Sequence, residues 1–126
     1  RVLKSSLELA SREGVYLAGQ ITGVEGYVES TATGLMAAIN LASSLEGMPE
    51  PLWPRESALG SLSFYLQDAE PESFKPMNVN LGIFPPLGKR IRDRLEKCRM
   101  VSERAEEAIR AFLGSHPVFA REDLNK

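Results

Sequence analysis

Apolar residues form one continuous run and then a helical repeat, and this change predicts the first elements. Residues 14–19 are apolar almost throughout and begin and end with glycine, which is typical of a strand buried on both faces of a parallel sheet. From Val28 to Leu45 the apolar residues recur every three or four positions, which predicts a helix. The expected buried face of this helix comprises Ala32, Leu35, Met36, Ile39 and Ala42.

Two further helices are predicted after a proline-rich stretch. Ser57 is suited to cap a helix over residues 58–69. Residues 87–113 carry a helical apolar stripe that ends before Gly114. Residues 70–86 contain four prolines, so they are expected to form an ordered, irregular connection whose length of about 17 residues favours a functional role.

The strand and the helices together predict an α/β fold that extends beyond this chain. A parallel sheet needs several strands, and the sequence offers only one convincing candidate. The partner strands are therefore expected elsewhere, which makes the chain the C-terminal part of a longer protein. Its first residue, Arg1, is not a methionine, which agrees with that expectation.

Composition narrows the class of protein. The 126 residues are 43% hydrophobic and 25% charged, which argues against a disordered or collagen-like chain. The single cysteine, Cys98, forms no internal disulfide, and its place on the last apolar stripe favours a buried, inert thiol. No apolar run approaches the roughly 20 residues of a membrane span, and a cytoplasmic location is expected.

Charge is distributed unevenly. Residues 1–88 hold 5 Lys and Arg against 10 Asp and Glu, a net charge of −5, whereas residues 89–126 hold 10 against 7, a net charge of +3. Basic residues on the last predicted helix are candidates for contact with RNA phosphates. The alternative is a solvated face, since acidic residues are interspersed. The candidates are Lys89, Arg90, Arg92, Arg94, Lys97, Arg99 and Arg104.

The strongest chemical signal is the glycine-rich turn before the first helix. Gly19, Gly23 and Gly26 let main-chain N–H groups approach a ligand, and a helix N-terminus adds unpaired donors and partial positive charge. Phosphates, or the oxygens and nitrogens of a flavin, suit such a site. The alternative is that the glycines only permit a tight turn and close packing.

Polar side chains around this turn have candidate roles of their own. Gln20 both donates and accepts hydrogen bonds, and Tyr27 offers a flat face and a phenol. Glu25 and Glu29 are expected to be capping charges at the helix start. His116, which precedes a proline, is expected to be an exposed linker residue.

Two motifs carry a family resemblance. The first consists of AGQITGVEGYVES at residues 18–30 with GLMAAIN at 34–40. The second consists of PRESALG at 54–60 with FKPMNVNLG at 74–82 and PPL at 85–87. Both closely resemble the TrmFO family. Members of that family are folate- and FAD-dependent tRNA (uracil-5-)-methyltransferases related to MnmG/GidA. MnmG/GidA usually has TTGYEEA where this chain has VEGYVES at residues 24–30. MnmG/GidA also lacks the PMNVN block that this chain has at residues 76–80.

The resemblance implies a fold and a chemistry. Residues 1–48 would be the last strand, glycine-rich turn and helix of a FAD-binding Rossmann-type domain, residues 49–114 a helical C-terminal region, and residues 115–126 a tail. Methylenetetrahydrofolate would supply the carbon and NAD(P)H the electrons for methylation of C5 of the T-loop uridine in tRNA. The family's catalytic cysteines would lie outside this chain, which alone is not expected to be active.

The resemblance also assigns residues. Tyr27 is the candidate for direct participation in the reaction, Asn78 and Asn80 for contact with folate or with the flavin edge, and Lys89, Arg90, Arg94 and Lys97 for tRNA. Turn formation is the alternative for the asparagines. An MnmG/GidA-like enzyme acting on wobble uridine, or a non-catalytic helical module that binds RNA or protein, remain the alternative functions. The expected flavin contacts are Gly19, Gln20, Ile21, Gly23, Gly26 and Tyr27.

Overall fold

The computed structural model describes residues 2–120, and its regular structure is helical. Helix α1 spans Tyr27–Leu45, α2 spans Ala58–Asp68 and α3 spans Arg94–Ser115. Short 3-10 helices lie at Gly19–Thr22 and Pro117–Phe119. The first two predicted helices are confirmed. Of the expected tail, residues 121–126 lie outside the described part of the chain.

The N-cap of α2 is the residue that the sequence indicates. The hydroxyl oxygen of Ser57 accepts a hydrogen bond from the backbone N–H of Gly60 at 3.0 Å. This contact satisfies one of the N–H groups that a helix start leaves without an intrahelical acceptor. The cap therefore fixes where the proline-rich stretch ends and the helix begins.

The predicted buried strand at residues 14–19 is not formed in the described chain. Tyr16 makes an isolated antiparallel bridge with Glu8, and Leu17 donates a backbone hydrogen bond to the carbonyl of Leu7 at 3.0 Å. The segment is extended, but residues 15–18 are only half-buried. A strand buried on both faces needs neighbouring strands and covering helices, and among residues 2–120 it pairs only with residues 7–9.

Helix α3 begins seven residues later than predicted. The carboxylate of Asp93 caps it by accepting a hydrogen bond from the N–H of Glu96 at 2.7 Å. Residues 87–93 are not helical, and Gly88 has a φ of 75°, which is incompatible with a right-handed helix. Lys89, Arg90 and Arg92 thus precede the helix, which corrects their predicted place on it.

The core lies where α1, α2 and the end of α3 meet. Trp53 packs against Phe112 with ring centroids 5.0 Å apart, and Phe112 packs edge-on against Phe119 at 5.2 Å. The first pair is tilted by 45°, and the second has the edge-to-face geometry that aromatic rings favour. The other buried members of the cluster are Leu7, Val24, Met36, Ala37, Leu62 and Leu66.

Helix α1 buries only part of the predicted face, since Met36 is buried and Ile39 packs against the core. Its buried residues are Thr33, Met36, Ala37, Asn40 and Ser43, whereas Leu35 is 60% exposed. Asn40 makes this face possible because its amide donates to the carbonyl of Ser6 at 2.8 Å and accepts from the Trp53 indole N–H at 2.9 Å. Buried polar groups are tolerated when they are hydrogen-bonded in this way.

Two single residues near α3 differ from expectation. His116 is not a plain linker, because its Nδ1 accepts from the N–H of Val118 at 3.2 Å while Nε2 lies 2.9 Å from the carbonyl oxygen of Pro49. With Nδ1 accepting, Nε2 carries the proton and donates to Pro49. Cys98 is half-buried rather than fully buried. Among the described residues, no helix is both long and apolar enough to cross a membrane.

Candidate functional site

The two sequence motifs meet in space. We call residues 19–26 the glycine turn and residues 74–80 the strap. Val24 and Met77 form a parallel bridge, in which the N–H of Glu25 donates to Met77 O and the N–H of Met77 donates to Gly23 O, both at 3.0 Å. The side-chain amide of Asn78 also donates to Glu25 O at 3.1 Å. The strap is therefore hydrogen-bonded along the glycine turn although some 50 residues separate them in sequence.

Close packing accounts for two of the three glycines. Gly23 and Gly26 have φ values of 90° and 97°, in the left-handed region that favours glycine. A Cβ on Gly23 would lie 2.1 Å from the Phe74 ring. A Cβ on Gly26 would lie 2.3 Å from a carboxylate oxygen of Glu29 and 2.8 Å from the Asn78 amide nitrogen. The strap and the first turn of α1 thus occupy the space that these glycines leave.

The outer surface of the glycine turn stays open to a ligand. Gln20 is exposed, Ile21 is 76% exposed and Tyr27 is 94% exposed. Gly26, the N-cap of α1, supplies no side-chain cap, and the N–H groups of the first helical turn have no intrahelical acceptor. Free donors beside an amide, an aromatic ring and an aliphatic side chain fit the polar edge and flat face of a flavin.

The strap asparagines are engaged within the chain. Asn80 accepts from the N–H of Gly82 at 2.8 Å and donates to Asn78 O at 3.1 Å. This is the local pattern by which asparagine stabilises turns. Together with the bond from Asn78 to Glu25, these contacts favour the turn-forming interpretation, while both residues remain exposed at the surface.

A groove of about 710 Å³ borders the strap through Met77 and Asn80. On its far wall the guanidinium of Arg55 stacks over Phe64, 3.9 Å from the ring centroid, and pairs with Asp68 at 2.9 Å. Most of the groove lining is apolar, and the charges of Arg55 and Asp68 in its wall are paired with each other.

The basic candidates divide into two groups. The exposed group occupies the loop before α3 and the start of the helix, and Arg99 in it pairs with Glu103 at 2.8 Å. Its members are Lys89, Arg90, Arg92, Arg94, Lys97 and Arg99. By contrast, the guanidinium of Arg104 donates to the carbonyls of Pro85 and Pro86 at 2.6 and 2.9 Å. Arg104 therefore holds the diproline segment against α3, and sequence spacing alone gave no signal of that role.

Two residues at the site make contacts that were not expected from sequence, since Glu29 was expected only to be a capping charge and Phe74 had no assigned role. Glu29 accepts a hydrogen bond from the N–H of Val79 at 3.3 Å, and the ring of Phe74 covers Gly23. The available signal for Glu29 was its position three residues after a glycine N-cap, where a carboxylate reaches back over the helix start. Phe74 lies in the second motif, but its partner is visible only in three dimensions.

The ion pair between Lys4 and Glu8 belongs to the N-terminal segment and not to the glycine turn. The buried carboxylate of Glu8 accepts from Lys4 at 2.5 Å and from the N–H of Gly14 at 2.7 Å. The Lys4 hydrogen bond, followed by the Gly14 N–H, lowers the pKa of Glu8, and the same hydrogen bond raises the pKa of Lys4. Within residues 2–120 no cluster of side chains is suited to hold a metal ion.

Comparison with known proteins supports the resemblance drawn from the motifs. Residues 1–49 match the family model described as glucose inhibited division protein A. The chain is 45% identical over 113 residues to a methylenetetrahydrofolate--tRNA-(uracil-5-)-methyltransferase TrmFO of Natranaerobius thermophilus, 48% identical over 111 residues to that of Pelotomaculum thermopropionicum, and 47% identical over 117 residues to that of Symbiobacterium thermophilum.

These matches cover most of this chain but a small part of each relative. They include 90%, 88% and 92% of the chain, and 26%, 25% and 26% of the respective relatives. The chain thus spans about a quarter of the length of the curated relatives that it matches. The resemblance to the TrmFO family is confirmed over this length.

Proposed function

We propose that this chain, similar to TrmFO methyltransferases over about nine-tenths of its length, is the C-terminal segment of a longer enzyme that methylates C5 of a uridine in tRNA. The observation that carries the proposal is the contact between the two family motifs in the folded chain. The strap and the glycine turn are bonded through Val24 and Met77, so the two resemblances describe one surface.

The glycine turn is proposed to hold FAD. Flavin, when bound, supplies the capacity to accept electrons from NAD(P)H and to deliver them with the one-carbon unit of methylenetetrahydrofolate. In that balance the folate methylene carbon would bond to C5 while its two bonds to folate nitrogens break, and the C5 hydrogen would leave as a proton. Two electrons and one proton, equivalent to a hydride from NAD(P)H, would complete the methyl group, and tetrahydrofolate would leave after its nitrogens take up two protons. Both the nicotinamide and the folate belong to the proposal.

Residues of this chain contribute binding and orientation. The first-turn N–H groups of α1 donate to electron-rich edge atoms, while Gln20 offers an amide and Ile21 an aliphatic contact. Tyr27, 94% exposed at the helix start, supplies a ring for stacking and a hydroxyl for a proton or hydrogen bond. Asn78 and Asn80, which are exposed on the strap, are proposed to contact folate or the flavin edge.

A direct test uses the complete polypeptide that contains this segment. Incubation with unmodified tRNA, labelled methylenetetrahydrofolate, FAD and NAD(P)H should produce labelled 5-methyluridine. Tyr27→Phe keeps the ring and removes the hydroxyl, so it should retain flavin and lower turnover, because the hydroxyl is proposed to take part in the reaction. Gln20→Ala should weaken flavin retention. A polypeptide that binds no flavin would exclude the proposal.

The wider family model supports a second candidate. Residues 1–49 match the glucose inhibited division protein A family. This matched range includes the glycine turn and α1 but not the strap. Label delivered to a wobble uridine instead of to C5 of a T-loop uridine would favour that MnmG/GidA-like activity. The 45–48% identities to TrmFO proteins favour the T-loop reaction.

The exposed basic segment is proposed to contact tRNA. Lys89 and Arg90 lie before α3, and Arg94 and Lys97 lie in its first turn. Each phosphate contact contributes an increment to the salt dependence of binding. Replacing Arg94 and Lys97 by Gln should weaken tRNA binding and reduce the salt slope by about 1 to 2. The control is Arg110→Gln, because Arg110 pairs with Glu106 at 2.6 Å farther along α3.

A further inference from the structure

The first turn of α1 carries a negative charge of the chain's own. Glu29 occupies the third helical position after the N-cap Gly26. One carboxylate oxygen accepts a hydrogen bond from the N–H of Val79 at 3.3 Å. The other oxygen lies so close to Gly26 that it would be 2.3 Å from a Cβ at that position. The carboxylate is thus folded back over the helix start and joins it to the strap.

That placement opposes the field of the helix. An α-helix N-terminus is equivalent to about half a positive charge, which would stabilise an anion bound there. A carboxylate at the same place offsets this field, and interactions between charges at a partly buried site are stronger than in bulk water. Any ligand that gains negative charge beside this turn is therefore less stabilised than at a bare helix N-terminus.

We infer that Glu29 is a positioning residue with two effects: it fastens the strap to the glycine turn, and its charge lowers the reduction potential of a flavin bound there. A lower potential makes the reduced flavin a stronger electron donor, which favours passing electrons on to a one-carbon unit. This inference rests on the proposed function. It concerns a property of the site, not the identity of the reaction.

Substitutions separate the two effects. Glu29→Gln keeps an oxygen that accepts the Val79 N–H but removes the charge. Glu29→Ala removes both, and Glu29→Asp keeps the charge on a shorter side chain. The control is Glu46→Gln, the same charge change at the C-cap of α1. Glu46 follows Glu29 by 17 residues along the helix, so it lies about 26 Å from Glu29, beyond the Debye length of about 8 Å at physiological salt.

The measurement is the reduction potential of flavin on the complete polypeptide, read by equilibration with a reference dye, alongside amide hydrogen exchange of the strap. We expect Glu29→Gln and Glu29→Ala to shift the potential to more positive values, with Glu29→Asp and Glu46→Gln near wild type. Strap exchange should quicken in Glu29→Ala and not in Glu29→Gln.

Other outcomes are decisive in the opposite direction. A potential that moves in Glu29→Ala but not in Glu29→Gln would show that Glu29 acts through structure alone and would overturn the inference, as would no movement in either. If Glu29→Gln fails to retain flavin, a wild-type potential in Glu29→Ala also overturns it. Failure of the wild-type polypeptide to bind flavin is a different result, because it removes the proposed function itself.

Discussion

The aromatic core and the glycine turn are both built from residues distant in sequence, but different forces hold them. In the core, Trp53, Phe112 and Phe119 bury apolar surface, and Asn40 satisfies the one indole N–H. In the turn, main-chain hydrogen bonds join Gly23 and Glu25 to the strap. Core substitutions should therefore lower stability throughout the chain, whereas turn substitutions should alter the site with less loss of buried area.

The largest expected effect is that of Trp53→Ala. Truncating a buried aromatic side chain costs about 3–5 kcal/mol, and here it also removes the hydrogen-bond partner of Asn40. Amide hydrogen exchange in the complete polypeptide should show lower opening free energies in both α1 and α3. The control is Leu52→Ala, because Leu52 is 75% exposed and should change stability by no more than about 0.5 kcal/mol. Equal effects at the two positions would contradict the assignment of the core.

Gly23→Ala tests the other side of the comparison. The left-handed φ of 90° costs an L-residue about 1–2 kcal/mol, and the new Cβ would lie 2.1 Å from the Phe74 ring. We expect faster exchange of the strap amides and weaker flavin retention, with α3 exchange little changed. Adding Phe74→Leu should restore part of the strap protection by relieving the overlap.

The matched control for this substitution is Gly34→Ala. Gly34 lies within α1, and a Cβ there would meet nothing within 4 Å. Replacing a helical glycine by alanine stabilises a helix by about 1 kcal/mol, so the two glycine substitutions should move stability in opposite directions. A destabilising Gly34→Ala would mean that this face of α1 is covered in the complete polypeptide.

Sequence patterns predicted the helices well where local signals were strong. The Ser57 cap is a local feature, and it marked the start of α2 correctly. The face of α1 was predicted only in part, because apolar residues surround the helix. The buried face includes Asn40, whose two hydrogen bonds reach Ser6 and Trp53, and apolar periodicity does not identify a buried polar residue.

The extended segment at residues 14–19 shows another limit. An apolar run indicates that burial is available, but it does not supply the neighbouring strands that a parallel sheet requires. The start of α3 was misplaced for a local reason, since Gly88 adopts a left-handed conformation and Asp93 caps the helix later. The contact between strap and turn was not predictable from spacing, because it joins two irregular segments through main-chain atoms.

The smallest effect is expected from pH and concerns the N-terminal segment. Hydrogen bonds from Lys4 and then Gly14 lower the pKa of Glu8, so its folded pKa lies below that of the unfolded chain. The stabilisation is therefore complete above the unfolded value of about 4.3 and is lost as pH falls through the lower folded value. Exchange of residues 7–17, corrected for intrinsic rates, should show this loss on acidification.

Glu8→Gln should remove that pH dependence while lowering protection at neutral pH, because the amide keeps the shape but not the charge that holds Lys4. Glu13→Gln is the matched control, since Glu13 is exposed on the same segment and should leave the acid response as in the wild type. An unchanged response in Glu8→Gln would assign the acid sensitivity to another carboxylate. In either case α3 exchange should stay constant, because the Glu8 pair lies outside the aromatic core.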